Sequence, residues 1–290
     1  MKNGAMKIGT LAQWYGSNRY LAEHVGAALR GCEWVGVPFA GGMCELPYIE
    51  ARTVIVADKH AHVINLALAV ADESMCQLLS RRLDSEPFHE ALLVLCQRSL
   101  REREEQADRH GGPLWKPGDR PDYEWAFAYF FSVWASRAEA AGTRGEFDAG
   151  FSVRWTAGGG DSCVRFRNAA AGLKEWQQVM RRCTFVCLDV FEFLAEAARR
   201  KRPGHGLYLD PPFPGPGDKY KHPFSREQHR RLAGELAAMG PIRVVCRFYD
   251  DPLIRELYPA PVWEWRHLEG GRKQSNAAAP EVLLVKGGSA

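Results

Sequence analysis

Short apolar runs alternate along this chain with stretches of helical periodicity, and that alternation is what a sheet covered by helices on both faces requires. Residues 32–39, 53–57, 183–188, 206–209, 242–247, 262–267 and 281–286 read as strands, with helices over 61–70, over 190–200 and from Ser225 onward. Ser225 is followed three positions on by Gln228, a capping box; Pro223 precedes it and Gly240-Pro241 ends the helix. The order predicts an α/β fold with a parallel sheet and one late reversed strand. In such sheets ligands lie beyond the carboxyl ends of the strands.

Between about Asp72 and Lys174 the pattern changes. Residues 86–109 read as a long, highly charged helix stopped by Gly111-Gly112-Pro113, and 123–141 as a second helix. That second helix carries Trp125, Phe127, Tyr129, Phe130, Phe131 and Trp134, aromatics that suit a core better than base stacking. Residues 151–155 and 163–168 alternate apolar and polar around Gly158-Gly159-Gly160-Asp161, which predicts a β-hairpin. One of its faces would carry Arg154, Arg165 and Arg167, either as solvated cations or as contacts to a polyanion.

Composition narrows the class. At 290 residues, 46% of them apolar, the chain can bury one large core or a core with an inserted module. No run is apolar enough to span a bilayer and the first residues lack a signal-peptide pattern, so a cytoplasmic protein is expected. The eight cysteines show no metal-ligand spacing and read as buried free thiols. A net charge of +3 is compatible with nucleic acid if the cations cluster.

Two short segments carry chemistry. Phe39-Ala40-Gly41-Gly42 follows a strand, and Asp58 ends the next strand 17 residues after Gly41. In dinucleotide sheets such a pair sets a cofactor against bare backbone and binds its ribose hydroxyls, although a lone Gly-Gly is equally a plain turn; the missing Gly-x-Gly-x-x-Gly argues against NAD. Leu207-Tyr208-Leu209 then runs into Asp210-Pro211-Pro212-Phe213. Alkylating the exocyclic amine of a nucleobase needs acceptors for both amine protons and a flat seat for the ring. Asp210 and the Pro211 carbonyl can accept, Pro211 and Pro212 stiffen the turn, and Phe213 offers a stacking face for an extruded base. By itself the tetrapeptide is also consistent with an ordinary turn.

The order of these segments resembles the Dam-like adenine-specific DNA methyltransferases over about the first 70 and last 110 residues. Trp14-Tyr15-Gly16-Ser17-Asn18 is similar to the family's opening segment and Pro38-Phe39-Ala40-Gly41-Gly42-Met43 to its cofactor loop. Asp58 and Asp189 match its acidic positions, and 220–233, 252–258 and Ser275-Asn276 before residues 281–285 match its later elements. The resemblance implies a Rossmann-like class I methyltransferase sheet with helices on both faces, residues 1–73 and 175–290. Residues 74–174 would be an inserted, mainly helical target-recognition module carrying the hairpin. It implies S-adenosylmethionine as cofactor, held by Trp14, Tyr15, Gly16, Asn18, Pro38, Phe39, Ala40, Gly41, Gly42, Asp58, Asp189, Val190 and Asp210. Asp189 would accept from the cofactor's adenine amine, or else serve only as an N-cap.

The implied activity is direct methyl transfer to N6 of a flipped-out adenine in double-stranded DNA. Arg154, Arg165, Arg167, Asn168, Lys219 and Lys221 are the candidate DNA contacts. Cytosine N4 methylation, or a catalytically silent nucleic-acid-binding or cofactor-sensing module, are the alternatives. A partner restriction endonuclease, an orphan enzyme, a monomer and a homodimer all remain open. Two positions depart from the family: Asn18 stands where a lysine is expected and Met43 where a third glycine is expected, and Met43 could pack under the cofactor.

Overall fold

The computed structural model describes residues 9–17, 19–116, 118–137, 140–156, 160–267 and 281–287. Asn18 and Ser275-Asn276 lie outside the described residues. Seven strands form one sheet: β1 (Trp34–Val37), β2 (Thr53–Ala57), β3 (Cys183–Val186), β4 (His205–Leu209), β5 (Arg243–Tyr249), β6 (Glu264–His267) and β7 (Glu281–Lys286). Their spatial order is β3-β2-β1-β4-β5-β7-β6. β1 to β5 pair in parallel, with Val35 opposite Val54 and Leu209 opposite Cys246, while β7 runs antiparallel to both β5 and β6. The late reversed strand is therefore present.

The order reverses between β1 and β4. From β1 the chain winds outward through β2 to β3, then returns to β4 and winds the other way, so the carboxyl ends of β1 and β4 flank a crevice that the sheet's topology creates. Side-chain alternation splits the core between the two faces. On β4, Leu207 and Leu209 join the apolar cluster on one face while Tyr208 joins the cluster on the other.

Helices α1 (Ala22–Ala28), α2 (Ala61–Ala71), α3 (Glu73–Ser85), α4 (Glu90–Arg109), α5 (Tyr123–Ala135), α6 (Ser162–Ala171) and α7 (Leu173–Met180) precede β3. Helices α8 (Val190–Arg199), α9 (Arg226–Ala237) and α10 (Pro252–Leu257) follow it. The long β2-to-β3 connection thus builds a helical layer. Its centre is α5, buried from Trp125 to Ala135, and the six aromatics are core residues as their pattern suggested. They belong to the same apolar cluster as Val35, Val54 and Val56 of the sheet, so the layer shares a core with one face of it. Among the described residues no single helix is long and apolar enough to cross a membrane.

Among the described residues the expected β-hairpin is absent. Residues 162–171 form α6, and Phe151 makes only an isolated bridge to Ser136. Asp161 decides the outcome. Its Oδ1 accepts from the Val164 amide at 2.9 Å, an N-cap that starts a helix after the glycines, and Phe166 and Ala170 bury a helical stripe four residues apart. The three arginines therefore do not share a strand face. Arg154 is exposed and donates to the Gly160 carbonyl, and Arg165 reaches Ser162 Oγ. Arg167 donates to the carbonyls of Leu83, Asp84 and Glu86, where it satisfies the end of α3.

Candidate active site

The crevice at the carboxyl ends of the strands opens into a cleft of about 860 Å³, its solvent-open mouth included. The sequence-predicted residues Trp14, Pro38, Phe39, Ala40, Gly41, Gly42, Asp58, Asp189, Val190 and Asp210 line it, together with Ser17, Glu45, Lys59, His60 and His222. Tyr15 and Gly16 instead line a smaller adjoining cavity of about 360 Å³. Phe213, Tyr220, Arg247 and Tyr249 complete much of that second wall. Asp210 is common to both cavities.

Backbone geometry explains the loop after β1. The Ala40 amide donates to the Ala57 carbonyl, and the Gly41 amide donates to Asp58 Oδ2 at 3.0 Å. Asp58 Oδ1 accepts from the His60 amide at 2.8 Å, so one carboxylate ties the ends of β1 and β2 together. Burial pushes its pKa up, opposed by these hydrogen bonds. Gly41 has φ +45°, and a Cβ there would lie 3.0 Å from the Trp14 indole. A second glycine crowds the same ring: a Cβ on Gly142, at φ +80°, would meet it at 2.6 Å. Met43 also sits in the left-handed region, at φ +59°, so the backbone keeps the conformation that a glycine would favour. Its side chain is buried in the core and does not line the cleft.

Asp189 serves α8. Its Oδ1 accepts from the Phe191 amide at 3.0 Å, Glu192 completes a capping box, and Lys59 approaches Oδ2 at 3.4 Å. The N-cap alternative is thus realised, on a residue that still faces the cleft.

Asp210 is held by a buried cation. Arg247 Nη1 lies 2.8 Å from Asp210 Oδ2 and donates as well to the Gly16 carbonyl at 3.0 Å, while Nη2 meets Glu281 Oε1 at 3.1 Å. One guanidinium therefore joins the opening segment, the β4 turn and β7. Burial pushes the Asp210 pKa up to about 6 against the pull of Arg247. Only Oδ2 is engaged by a described residue, which leaves Oδ1 available to a ligand. Phe213 is steadied by Tyr249, edge-on at 4.7 Å, and by the Arg247 guanidinium at 5.2 Å.

Comparison with models of known protein families gives no match, and no curated protein matches the sequence. What the site can do rests on its own chemistry.

Three groups in these walls were not singled out in the sequence. Arg247 was visible only as a cation ending an apolar run, and Glu45 as an acid in the loop after β1. His60 was the third; its Nε2 lies 2.8 Å from Glu146 Oε1, and Glu146 also meets Lys221. Lys221, a candidate DNA contact, is thereby committed to Glu104 and Glu146 inside the protein. Lys219 and Asn168 are exposed, and Lys219 stands 6.0 Å over the Tyr15 ring. The charge of the main cleft is one-sided. Glu45, Asp58, Asp189 and Asp210 face it, against Lys59, which is paired with Asp189, and His222, which burial pushes down to about 4.

Proposed function

We propose that the protein is an S-adenosylmethionine-dependent DNA methyltransferase acting on the exocyclic amine of adenine. The observation that carries this reading is Asp210, an acceptor in the wall common to a polar cleft and a small aromatic-lined cavity. Direct group transfer needs donor and acceptor to meet at such a wall, with the reacting atoms already aligned.

The residues present suit the cofactor. Bare backbone at Ala40 and Gly41 allows close approach, Asp58 and Asp189 stand at the ends of successive strands, and the acidic lining suits a cationic ligand and repels a diphosphate. When bound, the cofactor supplies a methyl group on a positively charged sulfur. The chain does the rest. Tyr15, Phe213, Tyr220 and Tyr249 provide apolar faces for a base swung out of the duplex. Asp210 Oδ1 accepts one amine proton and the Pro211 carbonyl the other, which turns the nitrogen lone pair toward the cleft. Arg247 holds the carboxylate in position while this happens, and Pro211-Pro212 keep the turn from yielding. Lys219 beside the aromatic cavity, with exposed Arg154 and Asn168 and the half-buried Arg165, is left to meet phosphates; Arg167 and Lys221 have structural partners.

Expression in a host without DNA methylation, followed by sequencing that reports modified bases, tests the reading. N6-methyladenine at a defined motif is expected with wild-type protein, and at least a hundredfold less with Asp210→Ala. N4-methylcytosine would move the target to the other amine. Unmodified DNA from a protein that still binds S-adenosylmethionine would replace the enzyme with a silent module.

A further inference from the structure

Glu45 is a buried carboxylate, 7% exposed, in the wall of the main cleft. It makes no ion pair with a described residue. Oε1 lies 3.1 Å from Cys44 Sγ and 3.4 Å from Tyr208 Oη, two neutral donors that fix its direction without neutralising it. Arg247 acts on it only at longer range and is already shared by Asp210 and Glu281. A charge buried without a counter-ion is costly, and proteins retain one where a ligand supplies the opposite charge.

Its place along the cleft says which part of a ligand it meets. Asp189 stands beyond β3 and Asp58 beyond β2, on the outer side of β1. Glu45 belongs to the loop after β1 and reaches Tyr208 of β4, next to Asp210. Ser17 closes the same end, its Oγ 3.5 Å from Cys44 Sγ. Along the strand order, Glu45 beside β4 thus stands at the other side of β1 from Asp58 and Asp189, away from the strand ends that would hold a nucleoside.

We propose that Glu45 is the counter-charge for an aliphatic ammonium group on the ligand of the main cleft. The identity of that ligand rests on the function proposed above, in which the group is the α-ammonium of the cofactor's amino-acid portion. Burial, which pushes the Glu45 pKa up, is offset once an ammonium docks against it.

Three ligands measured by calorimetry on wild type and Glu45→Gln test this. S-Adenosylmethionine carries sulfonium and ammonium, S-adenosylhomocysteine only the ammonium, and methylthioadenosine neither. Gln preserves the shape and can still accept from Cys44 and Tyr208; matching thermal melts of the two proteins check the fold. Glu45→Gln is expected to weaken the first two ligands alike, by about tenfold or more, and to leave methylthioadenosine within twofold. Weakening of S-adenosylmethionine alone would assign the carboxylate to the sulfonium and overturn the proposal. Equal weakening of all three, or of none, would overturn it as well, by making the role structural or absent. Wild-type protein that binds none of the three would remove the cofactor reading itself, a result distinct from any pattern in the variant.

Discussion

At Asp210 two effects oppose each other: burial favours the neutral acid and Arg247 favours the carboxylate, and burial wins enough to bring the pKa up to about 6. The charged form is the one that accepts an amine proton strongly. The single-turnover methylation rate should therefore be flat above about pH 7 and fall about tenfold per unit well below pH 6. Stability moves the other way at this residue. Its folded pKa lies above the usual 3.8, so the folded state binds this proton more tightly than the unfolded chain does, and acidification from about 6 to 4 relieves a cost. A rate that stayed level down to pH 5 would mean that Asp210 does not titrate in the step measured. Asp58, Asp189 and Asp210 were legible because each follows an apolar run at a position where sheet ligands gather. Arg247 and Glu45 were not. Local sequence shows a charge but not what faces it across strands, and Glu281, which meets Arg247, is 34 residues away.

Among the elements, the loop after β1 shows a local rule being overridden. A left-handed methionine costs roughly 1–2 kcal/mol in backbone strain, yet Met43 is held there by its burial. Met43→Gly removes the strain and also a core side chain, a loss of about 2–5 kcal/mol for truncation to alanine alone. Packing should win. We expect a net destabilisation of about 2 kcal/mol and a melting temperature lower by about 4 °C, measured by calorimetry. A raised melting temperature would show strain to be the larger effect. Strand and helix types were legible across the sheet because period-two and period-3.6 patterns there are long or well capped. At residues 151–168 they were not, since a short alternation and an N-cap aspartate after glycines support two structures, and packing of Phe166 against Phe131 at 5.2 Å selected the helix.

Across the whole molecule, the helical layer is fastened to the sheet by a buried polar chain as well as by apolar contact. Glu146 accepts from His60 at 2.8 Å, from Lys221 at 3.2 Å and from the Gly142 amide at 2.8 Å; Lys221 and His62 both meet Glu104 on α4. Despite its burial, neighbouring His60 and Lys221 hold the Glu146 pKa well below the usual 4.5. Glu146→Gln removes the buried carboxylate that meets His60 and Lys221 and should cost about 3–5 kcal/mol at pH 7. The wild-type advantage should be whole above pH 4.5 and shrink as the pH falls from there toward 2, because the folded carboxylate resists protonation longer than the unfolded one. Urea titrations of both proteins at pH 7 and pH 3 would show it; a difference independent of pH would place the cost in packing. Sequence alternation made a mostly parallel sheet with a late reversed strand readable, but a network spanning residues 60 to 221 has no local signature.

The indole of Trp14 fills the gap between the loop at Gly41 and the segment at Gly142, and the backbone beside it is bridged to Ala141. It works as a shim: neither glycine could carry a side chain without meeting the ring, and the same residue lines the cleft. Whatever enters the cleft leans on this ring, and so does the chain returning from the helical layer. One side chain is therefore shared between the wall of the cleft and the seat of the returning chain.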